Sequence, residues 1–265
     1  MKIIRALRTV NYRLWFAIFT TMLLPTVYQT VRIFFLGDMP SDSGINIASQ
    51  LQWVNLFYEV VQEALILPLF FLLGKSIDNR DEFANKVRTG LIVTAIIYAM
   101  VSVIVMLCAR PLVVLMAQDT ALSDATVTYV RLETVAALFS TLWRFMMTVL
   151  VTLKKDKYIY IVLIIQMVLS VLLDTFLISN LAVSAKLGVN GIAVTNIIVN
   201  AVILGCSILL LYRENIRLFA KQKRSFGWLN EWFKVGKFSG LESLLRNLAF
   251  MVMVCLLYTS PSPRD

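Results

Sequence analysis

The stretch LLDTFLISNLAVSAKLGVNGIAVTN, residues 172–196, joins two apolar segments through a short polar loop. An aspartate, Asp174, stands near the end of the first segment, and a glycine precedes the second. An ionisable side chain inside an apolar helix is costly in lipid, so it normally faces a cavity or a partner group. The stretch therefore predicts a hairpin of two membrane-spanning helices with a carboxylate in its interior.

The composition of the whole chain agrees with a membrane protein. Of its 265 residues, 59% are hydrophobic and 15% are charged, whereas soluble domains carry roughly 25% charged residues. The sequence contains no histidine, which excludes imidazole catalysis and histidine-based zinc sites. Its three cysteines lie in apolar stretches without the paired spacing of a disulfide framework. With no pairing of nucleophile and base evident, we expect a protein that is not an enzyme.

Seven apolar stretches are long enough to cross about 30 Å of hydrocarbon, which takes roughly 20 helical residues. They lie at 14–37, 47–74, 89–109, 126–153, 158–179, 189–212 and 236–257. If each stretch crosses the membrane, alternate connections lie on the same side as the amino terminus. The lysines and arginines of the connections lie on that side, except for Arg110 and Lys186. Since basic residues accumulate on the cytoplasmic side, we predict a multi-pass protein of the cytoplasmic (inner) membrane with a cytoplasmic amino terminus.

Polar residues form stripes on three of the predicted spans. The second span carries five that share one helical face, namely Gln52, Asn55, Glu59, Gln62 and Glu63. The first span aligns Gln29 with Arg32, and the fourth aligns Glu133 with Arg144. Such faces must point into protein or water rather than lipid. We therefore predict that these residues line a shared interior cavity.

The depth of each charged residue in the membrane can be counted from the helix ends, because helix directions alternate and each residue adds a rise of about 1.5 Å. These depths predict two layers of charge. The predicted outer layer contains Arg32, Arg131, Glu133 and Asp174. The predicted inner layer pairs Glu63 with Arg144. For the inner pair, a purely structural ion pair and a transport role remain equal alternatives. For Asp174 the functional role is favoured.

The order of these features resembles the multidrug and toxic compound extrusion (MATE) transporters, a family of cation-coupled antiporters. Residues 172–196 are similar to the end of that family's fifth helix and the glycine-rich start of its sixth. YQTVRIFFLG at 28–37 is similar to the end of its first helix, and GKFSGLESLL at 236–245 to the start of its seventh. The resemblance covers residues 14–254.

The resemblance implies an all-α integral membrane protein built from two six-helix lobes around a central cavity that opens alternately to the two sides. Residues 1–13 would be a cytoplasmic segment, 14–212 the six-helix amino-terminal lobe, and 213–235 a basic cytoplasmic linker lying in the headgroup region. Residues 236–254 would begin helix seven of the second lobe. The tail CLLYTSPSPRD, 255–265, resembles a translated sequencing adapter, so we expect an artefact that truncates helix seven.

The resemblance also implies an ion-coupling site. Asp174 matches the family's helix-five carboxylate, Thr195 its helix-six hydroxyl, and Glu242 a helix-seven carboxylate of some members. Ser170 stands where the family often has asparagine, and Arg32 occupies the place of its helix-one aspartate. A guanidinium at that place would fill the site of an ion and would favour the charged form of Asp174.

Protonation is therefore expected at other carboxylates, either in the second lobe or at Glu59, Glu63 or Glu133. The predicted function is H⁺- or Na⁺-coupled export of drugs or other small amphiphilic or cationic compounds. We expect a lipid bilayer and a small-molecule substrate as partners, no cofactor besides the coupling ion, no nucleic acid, and a monomer when full length. A flippase of lipid-linked oligosaccharides or other lipids from the same superfamily is the alternative. A retinal protein or receptor is disfavoured, since helix seven has no lysine in its middle.

Overall fold

The computed structural model describes residues 12–37, 43–116, 118–155, 157–218 and 224–259. Seven long helices occupy these ranges: α1 Tyr12–Gly37, α2 Ser43–Gly74, α3 Arg80–Leu115, α4 Ser123–Thr152, α5 Lys157–Leu177, α6 Val189–Arg213 and α7 Leu229–Thr259. A short 3₁₀ turn, Thr120–Leu122, precedes α4, and no strand occurs in the described ranges. Each predicted span corresponds to one helix, so the predicted all-α fold class is confirmed.

Several helices extend beyond the predicted spans. The third, α3, begins at Arg80 because Asn79 caps it, accepting a hydrogen bond from the Glu82 amide at 3.2 Å. The last, α7, begins within the predicted linker. Residues 1–11 of the predicted amino-terminal segment and 260–265 of the predicted artefact lie outside the described residues. Residues 255–259 are helical and continue α7.

Five segments of the described chain are long and apolar enough to cross a membrane. They are α2, α3, the segment Thr120–Thr152 containing α4, α5 and α6. Large apolar side chains such as Leu107 and Leu115 on α3 are exposed, as expected where lipid rather than water is the solvent. The chain is therefore a multi-pass membrane protein, as predicted. Helices α1 and α7 cover the first and last predicted spans but are not among these five.

Helix α4 is central to the bundle because it packs against α2, α3 and α6. Helix α5 lies between α1 and α6. The polar contacts inside the bundle are interhelical: the Tyr58 hydroxyl donates to Thr134 Oγ1 at 3.2 Å, and Trp143 Nε1 donates to Asn200 Oδ1 at 2.8 Å. Such hydrogen bonds replace part of the hydrophobic driving force that lipid cannot supply. They fix α4 against α2 and α6.

The α5–α6 hairpin is closed by backbone hydrogen bonds across its loop. The amide of Leu187 donates to the Leu177 carbonyl at 2.8 Å, and that of Ala185 donates to the Phe176 carbonyl at 2.8 Å. Gly188 has φ of 60° and ψ of −143°, a conformation open essentially to glycine alone. The predicted hairpin is thus present, and its loop places α6 directly beside α5.

Helix α7 approaches α2 unusually closely through a glycine pair. A Cβ atom added at Gly236 would lie 2.4 Å from the Ala64 carbonyl oxygen, and one added at Gly240 would lie 2.9 Å from the Ala64 Cβ. Glycines four residues apart let two helix backbones meet in this way. Three side chains of α7 also donate to carbonyls of α2: Trp232 to Leu65, Ser239 to Glu63 and Asn247 to Leu56.

The end of the predicted linker packs against the helix bundle. Trp232 is 1% exposed and stacks on Trp228 at a centroid distance of 5.0 Å. Trp228 Nε1 donates to Thr89 Oγ1 at 2.9 Å. Asn85 exchanges two hydrogen bonds with the Ser225 backbone. Trp228 and Trp232 therefore anchor this segment on α3 and α2, respectively.

Candidate functional site

An ion pair crosses the bundle between α1 and α5. Arg32 Nε donates to Asp174 Oδ2 at 2.8 Å, and its Nη2 donates to Oδ1 at 3.3 Å. The side chains are 14% and 2% exposed, respectively. Both carboxylate oxygens of Asp174 thus face one guanidinium in the two-pronged geometry that favours arginine. The guanidinium occupies the space beside Asp174.

The pair continues through an amide to a second carboxylate. Arg32 Nη1 donates to Asn196 Oδ1 on α6 at 2.9 Å, and Asn196 Nδ2 donates to Glu133 Oε1 on α4 at 2.7 Å. Glu133 is buried. We call Arg32, Glu133, Asp174 and Asn196 the buried network. It joins four helices, and Asn196 is the last residue of the stretch 172–196.

The charges of the buried network do not balance. It holds one guanidinium and two carboxylates, and the described contacts of that guanidinium go to Asp174 and Asn196. Glu133 receives an amide hydrogen bond and lies near the hydroxyl of Tyr129 one turn earlier. A buried carboxylate without its own cation is costly. This arrangement favours uptake of one positive charge. A proton bound to Glu133 is the smallest cation that would supply that charge.

Two predicted oxygen donors are buried on the same two helices, α5 and α6. Ser170 lies one turn before Asp174, and Thr195 immediately precedes Asn196. The hydroxyl of Thr195 has no hydrogen-bond partner among the described residues. Their predicted role in ion coupling stays a prediction. The described residues contain no group of three or more acidic, cysteine or histidine side chains suited to a metal ion.

Arg131 does not join the outer charge layer. Its side chain is exposed, and its Nε donates to the Met106 carbonyl of α3 at 3.2 Å. The reason is helical phase, since two residues along an α-helix turn a side chain to a different face from Glu133. The outer layer therefore unites three of its four predicted members.

The predicted inner pair of Glu63 with Arg144 is wrong. Glu63 instead pairs with Arg246 of α7, which also contacts Glu59 at 3.2 Å. Glu242, one turn earlier on α7, lies 3.9 Å from the same guanidinium. The close packing of α7 on α2 brings these side chains together. We call Glu59, Glu63, Glu242 and Arg246 the α7 cluster; Arg246 within it is 49% exposed.

The remaining predicted cavity residues lie on accessible faces of α1, α2 and α4. Arg144 Nη1 donates to Gln62 Oε1 at 3.3 Å and stacks near the Trp143 ring. Three others are exposed: Gln29, Gln52 and Asn55. Glu242 belongs to the α7 cluster, so the structure separates it from the contacts of Asp174 and Arg32.

Comparison with solved structures identifies the architecture. No family model matches the chain, and no curated protein does. A MATE transporter of Vibrio cholerae in its bent form is 16% identical and superposes with a TM-score of 0.78 over 94% of this chain and 56% of the transporter. The chain has the MATE transporter fold.

Two further structures agree. An outward-facing multidrug resistance MATE transporter of the MOP superfamily is 15% identical, with a TM-score of 0.74, over 91% of this chain and 54% of the other. A MOP superfamily transporter from Pyrococcus furiosus is 16% identical, with a TM-score of 0.77, over 91% of this chain and 53% of the other. The binding pocket of that protein has a reversed polarity that suggests a different function for it. The chain spans about half the length of these MATE-fold structures.

Proposed function

We propose that the protein is an exporter of small amphiphilic or cationic compounds, coupled to H⁺ through the buried network. The observation that carries the proposal is the excess of one buried carboxylate over guanidinium among Arg32, Asp174 and Glu133. The chain's MATE fold supports a transport role, because such folds hold substrate between lobes and alternate access to it.

The choice of H⁺ over Na⁺ rests on what already lies beside Asp174. Both of its carboxylate oxygens accept from Arg32, so a sodium ion would have to displace a tethered cation there. Glu133 is held by a neutral amide instead, through Asn196 Nδ2. A proton added at Glu133 removes the uncompensated charge without breaking the Arg32–Asp174 pair.

Protonation can bias the conformation because the network ties together helices α1, α4, α5 and α6. The ionised Glu133 attracts Arg32 through the Asn196 bridge, whereas the protonated carboxyl does so much less. An ion shifts a two-state equilibrium only by its differential affinity for the two states. Proton binding would therefore weaken the electrostatic attraction between Glu133 on α4 and Arg32 on α1, and would favour a state in which α4 is less tightly held to α1.

The proposed substrate class follows from the accessible face of α2. Glu59 and Glu63 are only partly buried there, beside the exposed amides of Gln52 and Asn55. Acidic side chains with neutral amides next to them suit an organic cation with a polar periphery. The single guanidinium of Arg246 leaves the α7 cluster net acidic.

The test uses the full-length gene product in proteoliposomes, with a fluorescent organic cation as substrate and an imposed pH gradient. We expect Glu133→Gln to abolish gradient-driven transport, whereas Glu59→Gln, which removes one acid of the α7 cluster, should weaken the apparent affinity for the cation and leave transport dependent on the pH gradient. Wild-type transport in the Glu133→Gln variant would contradict the proposal. Transport driven by a sodium gradient alone would overturn the choice of proton.

A lipid flippase is the second candidate, and one observation favours it. Arg32 places a positive charge where the resemblance implies an acid, and one matched transporter is distinguished by reversed polarity of its pocket. A flippase would move a fluorescent phospholipid or polyprenyl-phosphate sugar between leaflets of the same proteoliposomes. Lipid movement without export of the organic cation would favour this alternative.

A further inference from the structure

One guanidinium serves three carboxylates in the α7 cluster. Arg246 Nη2 forms an ion pair with Glu63 and another, at 3.2 Å, with Glu59. Its Nη1 lies 3.9 Å from Glu242 Oε1 on its own helix. Among the described residues, Glu59 and Glu63 form ion pairs with Arg246 alone. The guanidinium thus binds the two acids of α2 more closely than the acid of α7.

We propose that Arg246 is a tethered competitor of the transported cation, because it occupies Glu59 and Glu63 until an organic cation displaces it. The inference rests on the proposed function, in which the α7 cluster attracts the substrate, and it names the residue that sets the affinity of that site. A ligand binds only if its positive charge outcompetes the guanidinium, so the same residue that weakens binding also rejects poor ligands.

The position of α7 on α2 does not depend on these ion pairs. Neutral contacts hold the two helices together, through Gly236, Gly240, Trp232, Ser239 and Asn247. The Arg246 side chain, in contrast, is 49% exposed. An exposed ion pair contributes little to stability. The guanidinium can therefore move away from α2 while α7 stays in place.

Both the acids and an alternative partner for Arg246 are accessible. The side chains of Glu59 and Glu63 are 45% and 23% exposed, respectively. Glu242 is 76% exposed and lies four residues before Arg246, a spacing at which two side chains on a helix are neighbours. Displaced from α2, the guanidinium finds a carboxylate on its own helix. The two acids of α2 are then left for the incoming cation.

The resident group indicates which ligand chemistry fits. A guanidinium is a delocalised cation that is only weakly hydrated, so its transfer from water to a pair of carboxylates loses little hydration. An organic cation with a delocalised or shielded charge has the same property. Arg144 of α4 does not supply that charge, because its Nη1 donates to Gln62 Oε1 at 3.3 Å instead. The inferred ligand is therefore a weakly hydrated organic cation.

The experiment measures binding of tetraphenylphosphonium to the full-length gene product by isothermal titration calorimetry, in neutral detergent at low ionic strength. Triphenylphosphine oxide, a neutral analogue, reports apolar partitioning alone. Arg246→Gln and Arg246→Met remove the competing charge, and Arg246→Lys retains one. The matched control is Lys237→Gln on the same helix. Lys237 is exposed, its Nζ lies 5.2 Å from the Phe238 ring centroid, and it belongs to none of the ion pairs among the described residues.

We expect saturable binding of the phosphonium that tightens about fivefold in Arg246→Gln and Arg246→Met, since each partly exposed ion pair contributes modestly. Arg246→Lys and Lys237→Gln should bind like the wild type, and the neutral analogue should bind all variants alike. Adding Glu63→Gln to Arg246→Gln should remove the gain, because the cation then loses one of its two acids.

Unchanged or weaker binding in both charge-removing variants would overturn the proposal and leave the proposed transport function standing. An equal gain in Lys237→Gln, or a gain that survives the addition of Glu63→Gln, would overturn it as well. No phosphonium binding to any variant would overturn it together with the proposed substrate class. The proposed H⁺ coupling is judged separately, by gradient-driven transport in Glu133→Gln.

Discussion

The buried network and the α7 cluster are built from the same chemistry but in different surroundings. Each holds one arginine and an excess of carboxylates. In the network, Asp174 and Glu133 are withdrawn from solvent and lipid alike, whereas Arg246 and Glu59 in the cluster are about half exposed. A charge imbalance in a low-dielectric interior must be neutralised, while one at an open face is screened. This difference supports the proposal that the buried network couples the ion and that the α7 cluster attracts the substrate.

The largest expected effect comes from breaking the pair at the centre of the buried network. Asp174→Asn leaves Arg32 without its carboxylate, and removing one partner of a buried ion pair costs about 3–5 kcal/mol. We expect a large fall in melting temperature in detergent. Glu63→Gln in the α7 cluster is the control and should lower it much less. Equal shifts for the two variants would contradict the assigned difference in environment.

The double variant Arg32→Gln with Asp174→Asn separates charge from packing. Two neutral amides can hydrogen-bond to each other, so most of the stability lost in the single variant should return. A double variant that is as unstable as the single one would indicate that shape, rather than charge, is what the pair contributes.

The next effect tests how the α7 cluster is assembled. Gly236→Ala places a methyl group 2.4 Å from the Ala64 carbonyl oxygen, and such overpacking costs about 1–3 kcal/mol. We expect a lower melting temperature and loss of a disulfide-trapping or spin-label contact between α2 and α7. Gly205→Ala on α6 is the matched control, since its added Cβ meets no atom within 4 Å. If both variants melt alike, the close approach of α7 to α2 is not required.

The smallest effect concerns the partly exposed ion pair between Lys155 and Glu214, which joins the α4–α5 and α6–α7 connections. The hydrogen bond from Lys155 lowers the pKa of Glu214, so the pair stabilises the fold above the ordinary glutamate pKa, and the stabilisation is lost as pH falls through the lowered pKa of Glu214. In Lys155→Gln this acid-side loss should shrink, measured as melting temperature against pH. Lys154→Gln, next to it, removes the same charge without the pair and should keep the wild-type profile. An unchanged profile in Lys155→Gln would contradict the pairing.

Much of the fold follows from the sequence because lipid imposes simple rules. Hydropathy located all seven helices, and counting residues from their ends brought Arg32, Glu133 and Asp174 to one depth. The bridge through Asn196 was missed, although it follows Thr195 directly, because a neutral amide carries no depth signal of its own. The available signal was the position of Asn196, which lies at the same depth in the membrane as the charged residues that it joins.

The pairing of helices was harder to predict. The depths of the residues in the membrane predict an ion pair between Glu63 and Arg144. In the structure the guanidinium beside Glu63 comes from α7 rather than from α4. The glycines at 236 and 240 are the signal that a close helix contact would form there. Which helix they contact depends on the packing of the whole bundle, and no local pattern specifies it.

The most direct test of the account asks whether Glu133 carries a proton. Infrared spectroscopy of the purified chain at neutral pH reports the carbonyl stretch of a protonated carboxyl group. We predict such a band in the wild type, its disappearance in Glu133→Gln, and its persistence in Glu59→Gln and Glu63→Gln. A band that survives Glu133→Gln, or that is absent from the wild type, would contradict the claim that the buried network binds a proton.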